Sequence, residues 1–413
     1  MRITILTYGS RGDVQPCLAL AQALQREGHE PLVALPASLR KLADEMKITA
    51  LALPGDVTQI SKGLNRAGRN GLAMVRVIRE AVEPVALEVA RTAWLACQKA
   101  DLIVHTFLFT LGAHAFARQL GIPDLSVQFF PMFIVSSDYP NMGFPLLPLG
   151  KGYHRLSHHL ANLIFIWSQR LMYPRIRKYV HNFPQQLLWP FKSTGERNAT
   201  PLVLAYSPTL VPPEPDFPAH VHQTGFWFLE NSGVYQPPIE LKEFLSSGPP
   251  PVCISLGSMI HPNSKNFQRV LLEGVQRTGR RVIILTGWDE WPGIEASPEL
   301  LFLRDAPHEW LFPRCAAIVH HAGAGTTAAV LRSGRPCVAL PLAADQPFWA
   351  RRLHASGVCP LPLNSGNLTA EQVSDALWMA IENESIRRNA SILGDVIRRE
   401  NGLLQTVEII NSL

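Results

Sequence analysis

Two stretches of the chain repeat one pattern: a short apolar or β-branched run, a glycine turn, then apolar residues at helical spacing. Ile3-Thr4-Ile5-Leu6-Thr7 runs into Gly9-Ser10-Arg11-Gly12-Asp13, and Pro16 to Arg26 carries helical spacing that Gly28 stops. Pro31-Leu32-Val33-Ala34-Leu35 reads as a second strand. Strand, helix, strand in that order specifies a parallel sheet with helices on its faces, because parallel neighbours need a crossover between them. A strand at Asp101–His105, a helix near Leu111–Leu120 and a strand at Leu125–Val127 extend the first copy. The second begins with the strand Val252–Leu256, which ends at Gly257-Ser258. It continues with a helix at Phe267–Thr278 and strands at Arg281–Leu285 and Ala316–Val319, then a helix at Thr326–Arg332 and a strand at Cys337–Leu340. The expected fold class is α/β, with two open domains and a cleft between them. Between the copies, ENSGVYQPPIELKEFLSSGPPP gathers proline, glycine and serine. The boundaries read as a first domain over 1–230, a linker over 231–250 and a second domain from 251.

Composition narrows the class. A length of 413 residues allows two or three domains. A hydrophobic share of 47 % excludes a largely disordered chain. Only 17 % of residues are charged, below the roughly 25 % usual for soluble domains, and the 34 prolines are nearly double the usual ~5 %. That combination favours an apolar-ligand pocket or a membrane-facing patch. Lys and Arg number 38 against 33 Asp and Glu, a net charge of +5, too small to argue for a nucleic-acid partner. The six cysteines, Cys17, Cys97, Cys253, Cys315, Cys337 and Cys359, form no C-x-x-C pair and read as buried free thiols. The opening MRITILTYG is too short for a secretory apolar region, and no eighteen-residue apolar window is free of proline or charge. A cytoplasmic location is expected, with one qualification. Residues 151–198 hold eight Lys or Arg against one acid, Glu196, together with His154, His158, His159 and His181 and the apolar stretch Leu160–Tyr173. Two readings stand: a solvated basic helix pair capping a domain, or a surface resting peripherally on anionic lipid headgroups of the inner membrane face.

The turn GSRGD is not G-x-G-x-x-G, and the second strand ends at Leu35-Pro36 with no acid for a ribose, so a dinucleotide cofactor is not expected. Asp13 stands where strand gives way to helix, either as a capping carboxylate or as a group facing a cleft. The strongest local signal is His320-His321-Ala322-Gly323-Ala324-Gly325-Thr326-Thr327, between a strand and a helix. Glycines let backbone approach a ligand, and a helix N-terminus offers amides and positive potential to phosphate. Without a Walker lysine this is not a P-loop. Asp345-Gln346, after the next strand, offers acceptors and an amide to vicinal hydroxyls, or an Asx turn capping the helix at Pro347. A phosphate grip and a hydroxyl grip on neighbouring loops suggest a sugar nucleotide.

HHAGAGTTAAVLRSGRPCVALPLAADQPFWARRL resembles the donor-binding region of family 1 glycosyltransferases with the GT-B fold, in the group that holds sterol, macrolide and glycopeptide glycosyltransferases. GSRGDVQPCLALAQALQREGHE, ISLGSM and APHEWLFPRCAAIVHH match the same group in the same order. The resemblance implies two Rossmann-like domains, the second over 251–396, with a final helix over 397–413 crossing back to the first. It implies Asp13 as general base and Asp56 near the acceptor, with Ser10, Arg11 and Gly12 shaping the loop toward the donor. Ser258 would bind phosphate, Ala306 and His308 would face base and ribose, and His321, Gly323, Ala324, Gly325 and Thr326 would hold the pyrophosphate. Asp345 and Gln346 would hold the hexose. Ala322 replaces a frequent glycine, and Asp305 stands where plant-type members stack a tryptophan on uracil.

The expected activity is inverting, metal-independent transfer of a hexose, glucose from UDP-glucose, to a hydroxyl of a lipophilic acceptor such as a sterol, terpenoid, polyketide or lipid. The only small molecules it calls for are that nucleotide sugar and the acceptor, with no resident cofactor. The aromatic run Phe129-Phe130-Pro131-Met132-Phe133 and Phe226-Trp227-Phe228 would line an apolar pocket or form ordinary core. The rivals are a dTDP-deoxysugar transferase of rhamnosyl type, a sugar-nucleotide epimerase and a non-catalytic donor-binding helper of a partner transferase.

Overall fold

The computed structural model describes residues 1–56, 80, 83–192, 199–229, 235–257, 264–287, 291, 295–342 and 344–413. The chain divides into two compact units. The first comprises 1–208, 213–230 and 401–413, and the second comprises 209–212 and 231–400.

In the first unit, strands β1 (Arg2–Leu6), β2 (Glu30–Pro36), β3 (Ala50–Leu53), β4 (Leu102–Thr106), β5 (Asp124–Gln128), β6 (Leu202–Leu204) and β7 (Val221–Gln223) form one sheet. They lie in the order β3-β2-β1-β4-β5-β6-β7, and every pairing is parallel. Its helices are α1 (Arg11–Arg26), α2 (Arg40–Glu45), α3 (Glu83–Cys97), α4 (Thr110–Leu120) and α5 (Gly150–Tyr179). Strand residues alternate between two cores. Ile3 and Ile5 pack with Leu18, Leu24 and Trp227 on one face. Leu6 and Ile103 pack with Trp94, Phe116 and Phe183 on the other.

The second unit repeats the plan with β8 (Val252–Ser255), β9 (Val282–Leu285), β10 (Leu300–Leu303), β11 (Ala317–His320) and β12 (Cys337–Ala339). Their order is β10-β9-β8-β11-β12, again all parallel. Its helices are α6 (Ile239–Ser246), α7 (Ser264–Gln276), α8 (His308–Leu311), α9 (Ala324–Ser333), α10 (Gln346–Ala355), α11 (Ala370–Glu382) and α12 (Glu384–Arg399). The chain returns to the first unit with α13 (Gly402–Asn411), whose Val407 and Ile410 join the core around Ile3 and Leu18.

Three local readings change. Helix α1 starts at Arg11 rather than Pro16, so Arg11, Gly12 and Asp13 form its first turn. Within the stretch read as linker, α6 buries Leu241 and Phe244. It is clamped by Arg281, whose guanidinium donates to Phe244 O, Ser247 Oγ (2.8 Å) and Pro249 O (2.6 Å). The basic segment begins as one 30-residue helix, α5, rather than a pair. The six cysteines are free and buried. Phe129, Phe133, Phe226 and Trp227 are buried as well, so the core reading holds for them.

Candidate active site

The strand order of both sheets reverses beside their first strand, at β1/β4 and at β8/β11. In open parallel sheets, the crevice beyond the carboxyl ends of the strands at such a switch point is where ligands bind. Each unit places its chemically marked residues there.

In the first unit, β1 leads through Tyr8 and Gly9 to Ser10 and the head of α1. Asp13 reaches back: its Oδ2 accepts from the Ser10 amide (2.8 Å) and from Ser10 Oγ (3.0 Å). Thr7 Oγ1 donates to the Asp13 carbonyl at 3.1 Å. The capping role is therefore real, and it fixes the carboxyl in place. The side chain keeps some exposure, yet protein crowds its carboxyl, and this desolvation raises its pKa against the lowering effect of the Ser10 bonds. Arg11 Nε donates to Gln15 Oε1 at 2.9 Å, and Arg11 and Gly12 are exposed.

Asp56 is exposed on the loop after β3. Tyr8 connects that loop to the α1 head: its hydroxyl donates to Pro54 O at 3.0 Å, and its pKa is raised by burial and by the Asp56 charge. No sequence motif singled out Tyr8; its neighbouring glycine turn was the only signal. Further along the sheet, Asp124 accepts from His105 Nε2 (3.0 Å), His114 Nδ1 (3.1 Å) and Thr200 Oγ1 (3.2 Å). Burial pushes this carboxyl up, but the two imidazoles outweigh it and hold it below the usual range.

In the second unit, β11 ends at His320 and the chain turns into α9 through His321, Ala322 and Gly323. His321 is buried, with its imidazole wedged between two glycines. A Cβ at Gly257, whose φ is +66°, would sit 2.7 Å from His321 Cε1. One at Gly323 would sit 2.5 Å from Nε2. No side chain fits at either position. Burial pushes the His321 pKa down to about 4, against a backbone hydrogen bond at Ser255, so the ring is neutral near pH 7. His320 is driven down to about 3 by burial and by its histidine neighbours. Its Nδ1 accepts the Ala322 amide at 3.2 Å, which puts the proton on Nε2. His321 Nδ1 and Thr327 Oγ1 are buried without a hydrogen-bond partner among the described residues. The first amides of α9, at Ala324, Gly325 and Thr326, precede the first intrahelical bond from Thr327 N to Gly323 O (2.8 Å). Unpartnered amides, a buried neutral imidazole and a buried hydroxyl converge at one helix N-terminus, which suits an anion.

Around this helix head, Ala306 is buried and His308 stacks on Phe312 with centroids 4.3 Å apart. His308 Nε2 lies 3.4 Å from Ser255 Oγ. On the loop after β12, Asp345 does not cap α10 with its side chain. Its Oδ2 instead accepts from Trp349 Nε1 at 2.8 Å, while Gln346 Oε1 accepts the Leu342 amide at 2.7 Å. Both side chains are thus oriented by their own loop. Trp349, fully buried, escaped the sequence reading because its contact is one helical turn away. Ser258 lies outside the described residues.

Comparison with known proteins agrees with this layout. The glycosyltransferase family 28 N-terminal domain matches residues 3–137. The C-terminal domain of the erythromycin biosynthesis protein CIII-like family matches residues 269–400. The chain is 33% identical to the O-mycaminosyltylonolide 6-deoxyallosyltransferase of Streptomyces fradiae, over 98% of this chain and 95% of that protein. It is 31% identical to a sterol 3-beta-glucosyltransferase of Candida albicans over 99% of its own length, but spans only 27% of that larger protein. The crystal structure of the kitacinnamycin glycotransferase superposes with a TM-score of 0.72 at 17% identity, covering 100% of this chain and 98% of the other. With two doubly wound units and a full-length relative at this identity, the chain belongs to the family 1 glycosyltransferases of the GT-B fold.

Proposed function

We propose that this protein transfers a hexose, glucose from UDP-glucose, to a hydroxyl of a lipophilic acceptor such as a sterol or a polyketide, with inversion and without a metal ion. The observation that carries the reading is Asp13: a carboxyl held at a switch point by the Ser10 amide and hydroxyl, and raised in pKa by burial. In the proposed step the acceptor oxygen attacks the anomeric carbon as the bond from that carbon to the diphosphate oxygen breaks. The hydroxyl proton passes to Asp13, and the nucleoside diphosphate leaves with the bonding pair. A placed base of this kind contributes about 10²–10⁴-fold. The α9 amides, neutral His321 and the threonine hydroxyls would meet the charge growing on the diphosphate. Asp345 and Gln346 would accept from and donate to the sugar hydroxyls.

Transfer of a deoxyhexose from a dTDP donor is the second reading. It is favoured by the deoxyallosyltransferase, which this chain matches over nearly its whole length. A thermal-shift screen with UDP, dTDP, UDP-glucose and dTDP-glucose separates the two. Selective stabilisation by the UDP pair supports the glucosyl reading, and selective stabilisation by the dTDP pair overturns it in favour of the deoxysugar one. Stabilisation by none of them contradicts both.

A further inference from the structure

Helix α5 turns a mixed polar and apolar face inward and an apolar stripe outward. Ser157, His158, Ala161 and Phe165 are its buried residues. Beside that buried face Leu156, Leu160, Leu163, Ile164, Trp167 and Leu171 are exposed, with Leu163 at 61%, Trp167 at 65% and Leu171 at 57%. Their spacing keeps them on one stripe of the helix, about 23 Å long at 1.5 Å per residue. Leu149, 64% exposed, continues the stripe at the helix start.

Charge flanks this stripe on one side. The helix contains no Asp or Glu, and its six Lys or Arg are Lys151, Arg155, Arg170, Arg175, Arg177 and Lys178. At 100° per residue, Arg155, His159, Arg170 and Arg177 fall along one edge of the apolar stripe. Arg155 pairs with Asp216 at 3.7 Å and Arg175 pairs with Glu83. Arg170, Arg177 and Lys178 have no acidic partner within ion-pair distance among the described residues. No described helix is long and apolar enough to cross a membrane.

We propose that the outward face of α5 is an interfacial docking surface for anionic lipid. The helix would lie along the membrane plane, with Leu163, Trp167 and Leu171 entering the headgroup boundary and Arg170 and Arg177 meeting lipid phosphates. Exposed leucine and tryptophan beside a one-sided basic edge match what such a surface needs: apolar area to insert and positive charge to attract. A protein partner of mixed charge would not call for a helix devoid of acids. The inference stands apart from the transfer reading, since it uses none of the same residues.

The test is flotation with phosphatidylcholine vesicles, with and without about 30% phosphatidylglycerol. The intact protein should float with the anionic vesicles and release as salt rises toward ~1 M, where screening reaches about 3 Å. Trp167→Glu together with Leu163→Ser should lower partitioning at least about tenfold. Arg170→Glu with Arg177→Glu should abolish the preference for the anionic lipid. All four positions are exposed, so the variants should melt like the parent. Absence of binding by the intact protein overturns the proposal, as does binding that the variants leave unchanged. Self-association in sedimentation that Trp167→Glu removes, without vesicle binding, would overturn it in favour of a copy-to-copy interface.

Discussion

Ala322 and Ala344 hold left-handed backbone, with φ of 62° and 55°. One precedes the head of α9 and the other precedes Asp345. An L-residue in this region costs roughly 1–2 kcal/mol, and such strain persists where the surroundings over-determine it. Fully buried Ala322 is over-determined by its bond to His320 Nδ1. The wedged His321 ring next to it gives a sharp expectation. Gly257→Ala and Gly323→Ala should each weaken nucleotide stabilisation in a thermal-shift titration by tenfold or more, while Gly143→Ala, with no close neighbour beyond Asn141, should not. The pH dependence follows from the same rings. His321 titrates at about 4 in the fold against ~6.5 unfolded, so the unfolded chain binds more protons between those values. Its stabilising contribution is complete above pH ~6.5 and is lost as pH falls toward 4, on the order of a few kcal/mol. Denaturant midpoints should therefore drop across that window, and His321→Gln should flatten the drop. The motif around His321 was legible in the sequence because a strand, glycines and a helix start sit within eight residues. Tyr8 and Trp349 were not, because a contact from β1 to the β3 loop, or from a loop to the next helical turn, leaves no local spacing to read.

Among the elements, helix starts show where pattern reading loses resolution. Pro16 is well suited to a first turn, which draws the expected start of α1 to it. Ser10 and the back-reaching Asp13 stabilise five earlier residues, so the helix extends through the proline. The strands β3, β6, β7 and β10 have three or four residues and no glycine turn leading straight into a helix to mark them, unlike the equally short β8 and β11, so only pairing defines them. Close packing between α9 and α12 makes Gly394 critical. A Cβ there would lie 2.6 Å from Gly334 Cα and 3.0 Å from Leu331 O, both backbone. Alanine gains about 1 kcal/mol of helix propensity over glycine, but overpacking against immobile backbone costs about 1–3 kcal/mol. Gly394→Ala should lower the unfolding free energy by about 2 kcal/mol; an unchanged midpoint would show that the two helices separate freely. In α13, Ile410 is fully buried while Leu404 is 55% exposed. Ile410→Ala should cost about 2–5 kcal/mol, and Leu404→Ala no more than about 0.5 kcal/mol.

For the molecule as a whole, the repeated doubly wound plan was legible because parallel sheets buried on both faces read as repeated apolar runs separated by helices. The reach of the final helix back to the first unit was implied only by resemblance, since nothing in Gly402–Asn411 names its partner. The outward apolar stripe of α5 was half legible: its basic residues stand out in composition, but which apolar residues face outward depends on what the other side buries. The base assignment predicts an acid limb in kcat/KM lying above the ordinary carboxylate value of ~3.9, because Asp13 must be ionised to accept a proton and its pKa is raised by burial. The most direct measurement is glycoside formation from UDP-glucose or dTDP-glucose on a sterol and on a macrolide aglycone, in the presence of a chelator, for the parent and for Asp13→Asn. The parent should form a glycoside. The variant should lose about 10²–10⁴-fold with nucleotide stabilisation retained. Equal turnover by the variant, or no glycoside from any donor that stabilises the protein, would contradict Asp13 as the base of a glycosyl transfer.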